Sequence, residues 1–285
     1  MYKVEKEIKD MPNMNYWSNR KERQEHAELH TMLMEQHYKE EIEKSVANSV
    51  IYNPGNINHI IEKTPRVMEV SLVNEGSVDA IMRLAHDDMA VLNFASYTHP
   101  GGQFLNGSSA QEESLCHEST LYNVLSEFHQ YYSDNHNTRN NFMYTNRAIY
   151  SPDVIFVRDE WAVPCGVITC ASPNIAGNRK FCQVKVSNSE NQAILRDRCK
   201  FILSIAKDQG VKTLILGAFG CGVFGQDPEK VAMYFCELLT KEYQNCFDYV
   251  IFAIPIMANP ENYNAFEKVQ KSSFEEYGFE SHRMH

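Results

Sequence analysis

Gln111, Glu112 and Glu113 stand in a row just beyond a stretch that holds Gly101, Gly102 and Gly107. Paired carboxyl groups are the equipment of glycosidic cleavage, in which one carboxyl protonates the leaving oxygen and then activates water as an oxocarbenium-like centre forms. One well-placed glutamate could do both. Acids in the first turn of a helix are common for the macrodipole alone. The glycine-rich approach is what singles these out, since glycines let the backbone take positive φ and come close to a ligand. Ser109 with Glu112 three residues on fits a capping box, which puts free amides and a positive helix end beside the loop and so suits an anion. The same dipole lowers a carboxyl pKa, whereas a general acid needs its proton. Bound phosphates would raise it again, so the expectation is an acid that becomes competent in the substrate complex.

A second loop, GAFGCGVFGQDP from Gly217 to Pro228, carries Gly217, Gly220, Gly222 and Gly225 between a strand-like run and a helical window. It offers a nest of amides to phosphate. It lacks the Gly-Lys-Ser/Thr ending of a P-loop, and its glycines do not follow GxGxxG. Phe224 among those glycines suits stacking on an adenine or ribose face, or else tucks into the core. Two such loops fit a ligand with a diphosphate in its middle. Cys221 has no arginine beside it to stabilise a thiolate, which argues against a phosphatase nucleophile.

These loops need strands to carry them. Apolar runs begin at Met68, Met89, Asp153, Cys165, Thr213 and Asp248, with helical windows at Ser77 to His86, Gln111 to Tyr132, Asn188 to Gln209, Pro228 to Glu242 and Pro260 to Lys271. Runs apolar on both faces, alternating with helices, predict an α/β/α sandwich whose ligand lies beyond the strands' carboxyl ends. Asn19 to Asn48 is free of Gly and Pro and predicts one or two further helices. Asn53, Pro54 and Gly55 break that pattern, so a boundary near residue 60 is expected, with an extension over 1–60 and a core over 61–285.

Composition narrows the partners. The chain has 285 residues, 43% of them apolar, and a net charge of -10. That charge opposes bulk attraction to duplex nucleic acid, so an anion must be held locally. No uncharged apolar window is long enough for a membrane span, and the charged N-terminus is unlike a signal peptide, so a soluble, cytoplasmic protein is expected. The cysteines at 116, 165, 170, 182, 199, 221, 236 and 246 show no CxxC pairing and read as reduced, mostly core thiols. Cys165, Cys170 and Cys182 have no neighbouring histidine to complete a zinc site.

LNFASYTHPGGQFLNGSSAQEESL resembles the signature of microbial-type poly(ADP-ribose) glycohydrolases, a run of glycines followed after a short spacer by Gln-Glu-Glu. LILGAFGCGVFGQDPEKVA is similar to that family's second diphosphate loop, and IYSPDVIFVRD and ITCASPNIAG to the segments between the two. The likeness runs from about Tyr16 to Pro255. It implies a three-layer macrodomain sandwich with a mixed central sheet and an N-terminal helical extension. It further implies exo-hydrolysis of ribose-ribose bonds in poly(ADP-ribose), releasing ADP-ribose without a metal or other cofactor. By the same resemblance Glu113 is the catalytic acid, Glu112 holds ribose hydroxyls, and Gln111 orients the pair. Gly101, Gly102, Gly107 and Ser108 shape the cleft, Asn93 points at the distal ribose, and Gly220, Cys221, Gly222, Val223, Phe224 and Gly225 cover diphosphate and adenine. Gln103 stands where the family has its third glycine. Its side chain either narrows the approach to the scissile ribose or turns to solvent. An ADP-ribose reader without turnover, and a hydrolase of single ADP-ribose units on protein or nucleic acid, are the competing functions.

Overall fold

Period-two alternation organises the centre of the chain. In the computed structural model, which describes residues 2–3, 19–57, 67–86 and 88–277, Ala90 and Leu92 face one core and Met89 and Val91 the other. Leu214 and Leu216 oppose Ile215 in the same way, and Val250 and Phe252 oppose Ile251 and Ala253. A strand apolar on both faces must be covered on both, and it is.

The strands are β1 (Tyr2–Lys3), β2 (Val50–Tyr52), β3 (Glu69–Val73), β4 (Met89–Phe94), β5 (Ala148–Arg158), β6 (Trp161–Cys170), β7 (Thr213–Leu216) and β8 (Tyr249–Ala253). They form one sheet in the order β2-β5-β6-β4-β7-β8-β3, with β1 paired to β6. From β6 to β3 the neighbours are parallel, whereas β5 runs antiparallel to β6, β2 to β5 and β1 to β6. The sheet is therefore mixed, as expected.

The helices are α1 (Arg20–His37), α2 (Lys39–Asn48), α3 (Ser77–Leu84), α4 (Gln111–His117), α5 (Leu121–Ser126), α6 (His129–Asn137), α7 (Ile175–Phe181), α8 (Asn188–Asp208), α9 (Pro228–Thr240) and α10 (Pro260–Tyr277). Leu195 and Ile202 of α8, Phe235 of α9 and Phe266 of α10 join the core on one face of the sheet. Ala27 of α1, Ile81 of α3, Leu115 of α4 and Leu125 of α5 join the core on the other.

Of the expectations for the elements two change, one is met, and three elements come unforeseen. The helix foreseen over Gln111 to Tyr132 is three helices, because the chain between them bonds to β5: the Val157 amide donates to Glu118 O at 2.8 Å and the Thr120 amide to Ile155 O at 3.0 Å. The strand expected from Asp153 starts at Ala148 and is interrupted between Ser151 and Val154, where Asp153 takes φ 53°. The pattern from 19 to 48 gives two helices that meet at Tyr38. Finally, β1, β2 and α7 carried too little period to be foreseen. The boundary expected near residue 60 lies outside the described residues.

Candidate active site

Both glycine loops leave the carboxyl ends of adjacent parallel strands, β4 and β7, and border a single cleft of about 840 Å³. That size suits a nucleotide-sized ligand. A third parallel strand, β8, ends in Ala253, Ile254 and Pro255, which continue its wall toward Ala258, Asn259 and Asn262. Gly76 to Asp79, Glu118 and Arg158 line it as well.

Helix α4 is fixed to β4 by its first residue. Gln111 Oε1 accepts from the Phe94 amide at 2.9 Å, and Nε2 donates to Leu92 O at 2.9 Å and to Ser77 Oγ at 3.1 Å. Gln111 thus registers the helix on the strand end, and its side-chain hydrogen bonds go to β4 and Ser77 rather than to either glutamate. The cap also differs from the sequence reading. The N-cap is Ala110, not Ser109, and it is Glu113 Oε2 that accepts from the Ala110 amide at 3.0 Å. Glu112 cannot serve there, because its side chain turns inward to accept from the Ser96 amide at 2.7 Å and from Asn93 Nδ2 at 3.2 Å.

The two carboxyl groups consequently live in different environments although both line the cleft. Glu113 accepts a second amide, that of Gln103, at 2.9 Å on Oε1. Glu112 is only 3% exposed, and burial pushes its pKa up to about 8, helped by the charge of Glu113 and opposed by the Ser96 and Asn93 hydrogen bonds. For Glu112 desolvation outweighs the helix end and favours the neutral carboxyl.

Gly102 makes this pairing possible. It sits at φ +62°, and a Cβ there would lie 2.6 Å from Glu113 Oε1 and 2.8 Å from Glu112 Oε2. The loop can lie flat on the carboxyl groups only without a side chain. Gln103 has φ -114°, which any residue adopts, and its Oε1 accepts from Asn106 Nδ2 at 2.9 Å while the residue lines the cleft.

Of the other expected site residues, Ser108, Gly220, Gly222, Val223 and Phe224 line the cleft. Val223 is 83% exposed, and the Phe224 ring lies 6.1 Å from that of Tyr144. Asn93 does not reach the cleft: it is wholly buried behind Glu112, with Nδ2 shared between Glu112 and Thr169 Oγ1. Gly101, Gly107, Cys221 and Gly225 are also absent from the wall. Gly101 packs on Tyr122, Gly107 on the backbone of α1 and Gly225 on Ala176. The Cys221 sulfur faces Phe219 O, and burial raises its thiol pKa, so it is a core group.

Positive charge is nearly absent from the cleft. Arg158 is the sole Lys or Arg among its described lining residues, and it is engaged by Glu118 at 2.6 Å and by Asp79. Among the described residues the amides of Gly220, Gly222, Val223 and Phe224 donate to no protein group. An anion in this cleft would be met by backbone, which matches a phosphate nest. No group of three or more His, Cys, Asp or Glu among the described residues is arranged to hold a metal.

This arrangement has counterparts. Residues 23–159 match the family model for the microbial-type poly(ADP-ribose) glycohydrolase catalytic domain. The glycohydrolase of Thermomonospora curvata, solved with the inhibitor ADP-HPD, superposes with a TM-score of 0.79 at 30% identity, over 87% of this chain and 99% of that one. The glycohydrolase of Deinococcus radiodurans, solved with ADP-ribose, superposes with a TM-score of 0.74 at 31% identity, over 81% and 97%. The chain belongs to the microbial-type poly(ADP-ribose) glycohydrolase family. Among curated proteins, none matches it. Family membership fits a macrodomain-type sandwich whose two glycine loops and carboxyl pair share one cleft.

Sequence reasoning missed Ser96, whose amide holds Glu112, the wall from Ala253 to Asn262, and the Asp79–Arg158–Glu118 group. The β8 wall had a signal, since DYVIFAIP is a parallel-strand pattern stopped by Pro255. The other two are assembled by tertiary contact and had none.

Proposed function

We infer that this chain hydrolyses poly(ADP-ribose) and releases ADP-ribose, with Glu113 as the general acid and base. What carries the reading is the single cleft in which amide-rich loops from β4 and β7 face Glu112 and Glu113. The diphosphate rests on the amides of Gly220, Gly222, Val223 and Phe224. Phe224 covers the adenosine side, and the ribose whose bond is cut lies on Gly102 against the glutamates.

Glu113 accepts two backbone amides, from Gln103 and Ala110. Burial favours the neutral form of Glu112. With substrate bound, Glu113 protonates the leaving 2′ oxygen of the adjoining ribose. Water attacks the anomeric carbon, and Glu113 takes the proton from that water. Atoms balance as one ADP-ribose and a chain shorter by one unit. Glu112, neutral, donates a hydrogen bond to a ribose hydroxyl. The N-terminal helices α1 and α2 serve as an extension that packs on the Phe104–Asn106 turn and on β5, while β1 and β2 join the sheet itself.

The raised pKa of Glu112 favours a second reading in which Glu112 is the acid. Incubation of the protein, Glu113→Gln and Glu112→Gln with poly(ADP-ribose) and with singly ADP-ribosylated protein separates the readings. Release of ADP-ribose from polymer, abolished by Glu113→Gln, is the expected result. Loss on Glu112→Gln alone exchanges the roles, and binding without release by the unaltered protein would make it a reader. Release from the singly modified protein alone would make it a mono-ADP-ribose hydrolase.

A further inference from the structure

The loop that holds Glu113 is itself held from outside the core. Arg20 Nε donates to Asn106 O at 2.7 Å and Arg23 Nε to Gly107 O at 2.6 Å, both from the first turn of α1 across more than eighty residues of sequence. Gly107, at φ +70°, lies so close to that helix that a Cβ would meet Arg20 O at 2.3 Å. The Gly107 amide closes the Phe104–Asn106 turn on Phe104 O, and the Ser108 amide bonds Gln103 O at 3.2 Å. The turn is thereby tied at its carbonyl side to α1 and at its amide side to Glu113, through Gln103 N and, just beyond, Ala110 N. A second link joins α1 to the far end of the catalytic helix, where His26 Nδ1 and His117 Nδ1 lie 2.9 Å apart.

We propose that Arg20 and Arg23 are positioning residues for hydrolysis: they fix the Gln103–Ala110 loop so that its two amides aim the Glu113 carboxyl at the scissile ribose. This rests on Glu113 being the catalytic group. The loop from Gln103 to Ala110 has no strand or long helix of its own to define it. A guanidinium donating to a loop carbonyl is a charge-assisted bond of the stronger kind. Neither arginine lines the cleft, so their loss disturbs aim and leaves the second loop's contacts to the ligand in place.

The test is steady-state hydrolysis of poly(ADP-ribose), with ADP-ribose affinity by calorimetry and a thermal melt, on Arg23→Met, Arg20→Met, Arg23→Lys and the exposed control Lys21→Met. A 1 Å misplacement of a catalytic group costs about 100-fold, so Arg23→Met should lower kcat between about 10- and 100-fold with ADP-ribose affinity changed less than about threefold. Arg23→Lys, which keeps a charged donor, should recover most of that loss, and Lys21→Met should behave as the unaltered protein. Unchanged kcat in folded Arg23→Met and Arg20→Met overturns the proposal, as does a parallel loss of affinity and kcat that Lys does not rescue. If Arg23→Met fails to fold, Arg20→Met and Arg23→Lys decide by the same criteria. Full turnover by Glu113→Gln in the same assay would instead overturn the catalytic assignment, whatever the arginines do.

Discussion

Two adjacent glutamates with nearly identical sequence surroundings end up chemically distinct because one points along the loop and the other into the sheet. Burial holds the folded Glu112 at about 8, against an ordinary value near 4.5. A carboxyl whose pKa is raised on folding binds its proton more tightly in the native state, so its contribution to stability is complete below pH 4.5 and is lost as pH rises toward 8. Glu112→Gln should therefore flatten the melting temperature between those two pH values and raise it at pH 9, as read by thermal melts across the range. A fall in melting temperature with pH as steep in Glu112→Gln as in the unaltered protein would refute the assignment. Gly102 makes a second prediction at this scale. Gly102→Ala places a methyl within 2.6 Å of Glu113 Oε1. It should cost on the order of 100-fold in kcat through displacement of the carboxyl, and about 1–2 kcal/mol of stability at that positive φ, measurable by denaturant titration. The glutamates and their glycine were legible in the sequence as types and spacing. Their roles were implied by the family resemblance, but the contrast between their environments was not legible, since it depends on the Ser96 amide and on Asn93, which only the folded chain brings to Glu112.

At the scale of elements, the helix that carries the glutamates is short, seven residues from Gln111 to His117. So short a helix depends on its anchors. Gln111 supplies three hydrogen bonds to β4 and α3, one of them to the Phe94 amide. Gln111→Leu strands that amide and should destabilise the protein by about 1–3 kcal/mol, with kcat falling because the helix loses its register on the strand; urea unfolding and turnover measure the two. Six of the strands, β3 to β8, were readable as apolar runs, and the long helices from composition. The break of the expected helix over Gln111 to Tyr132 was not, because it is made by hydrogen bonds between Glu118 to Thr120 and β5 that no local pattern announces. The bracing of the first loop by α1 escaped for the same reason: nothing local to Arg20 and Arg23 announces their contacts with Asn106 and Gly107.

Over the whole molecule, a net charge of -10 surrounds a cleft that meets anions with amides and offers one paired arginine. Polyanion and enzyme therefore repel at a distance and attract only in contact. Salt screens the first and hardly touches the second. Raising ionic strength from low values should increase kcat/KM for poly(ADP-ribose), while ADP-ribose affinity changes by less than about threefold up to 0.5 M salt. Stopped-flow and calorimetry over a salt series check both, and a steep loss of affinity with salt would point to lysines or arginines holding the phosphates. Composition had already indicated a locally held anion. No helix among the described residues is long and apolar enough to cross a membrane.

The most direct test of the central claim is to measure ADP-ribose release from defined poly(ADP-ribose) by the unaltered chain and by Glu113→Gln, with ADP-ribose binding measured on the same samples. The predicted result is release by the first, none detectable by the second, and dissociation constants within about threefold of each other, since the diphosphate rests on amides that the substitution leaves alone. Release by Glu113→Gln at the unaltered rate would contradict it.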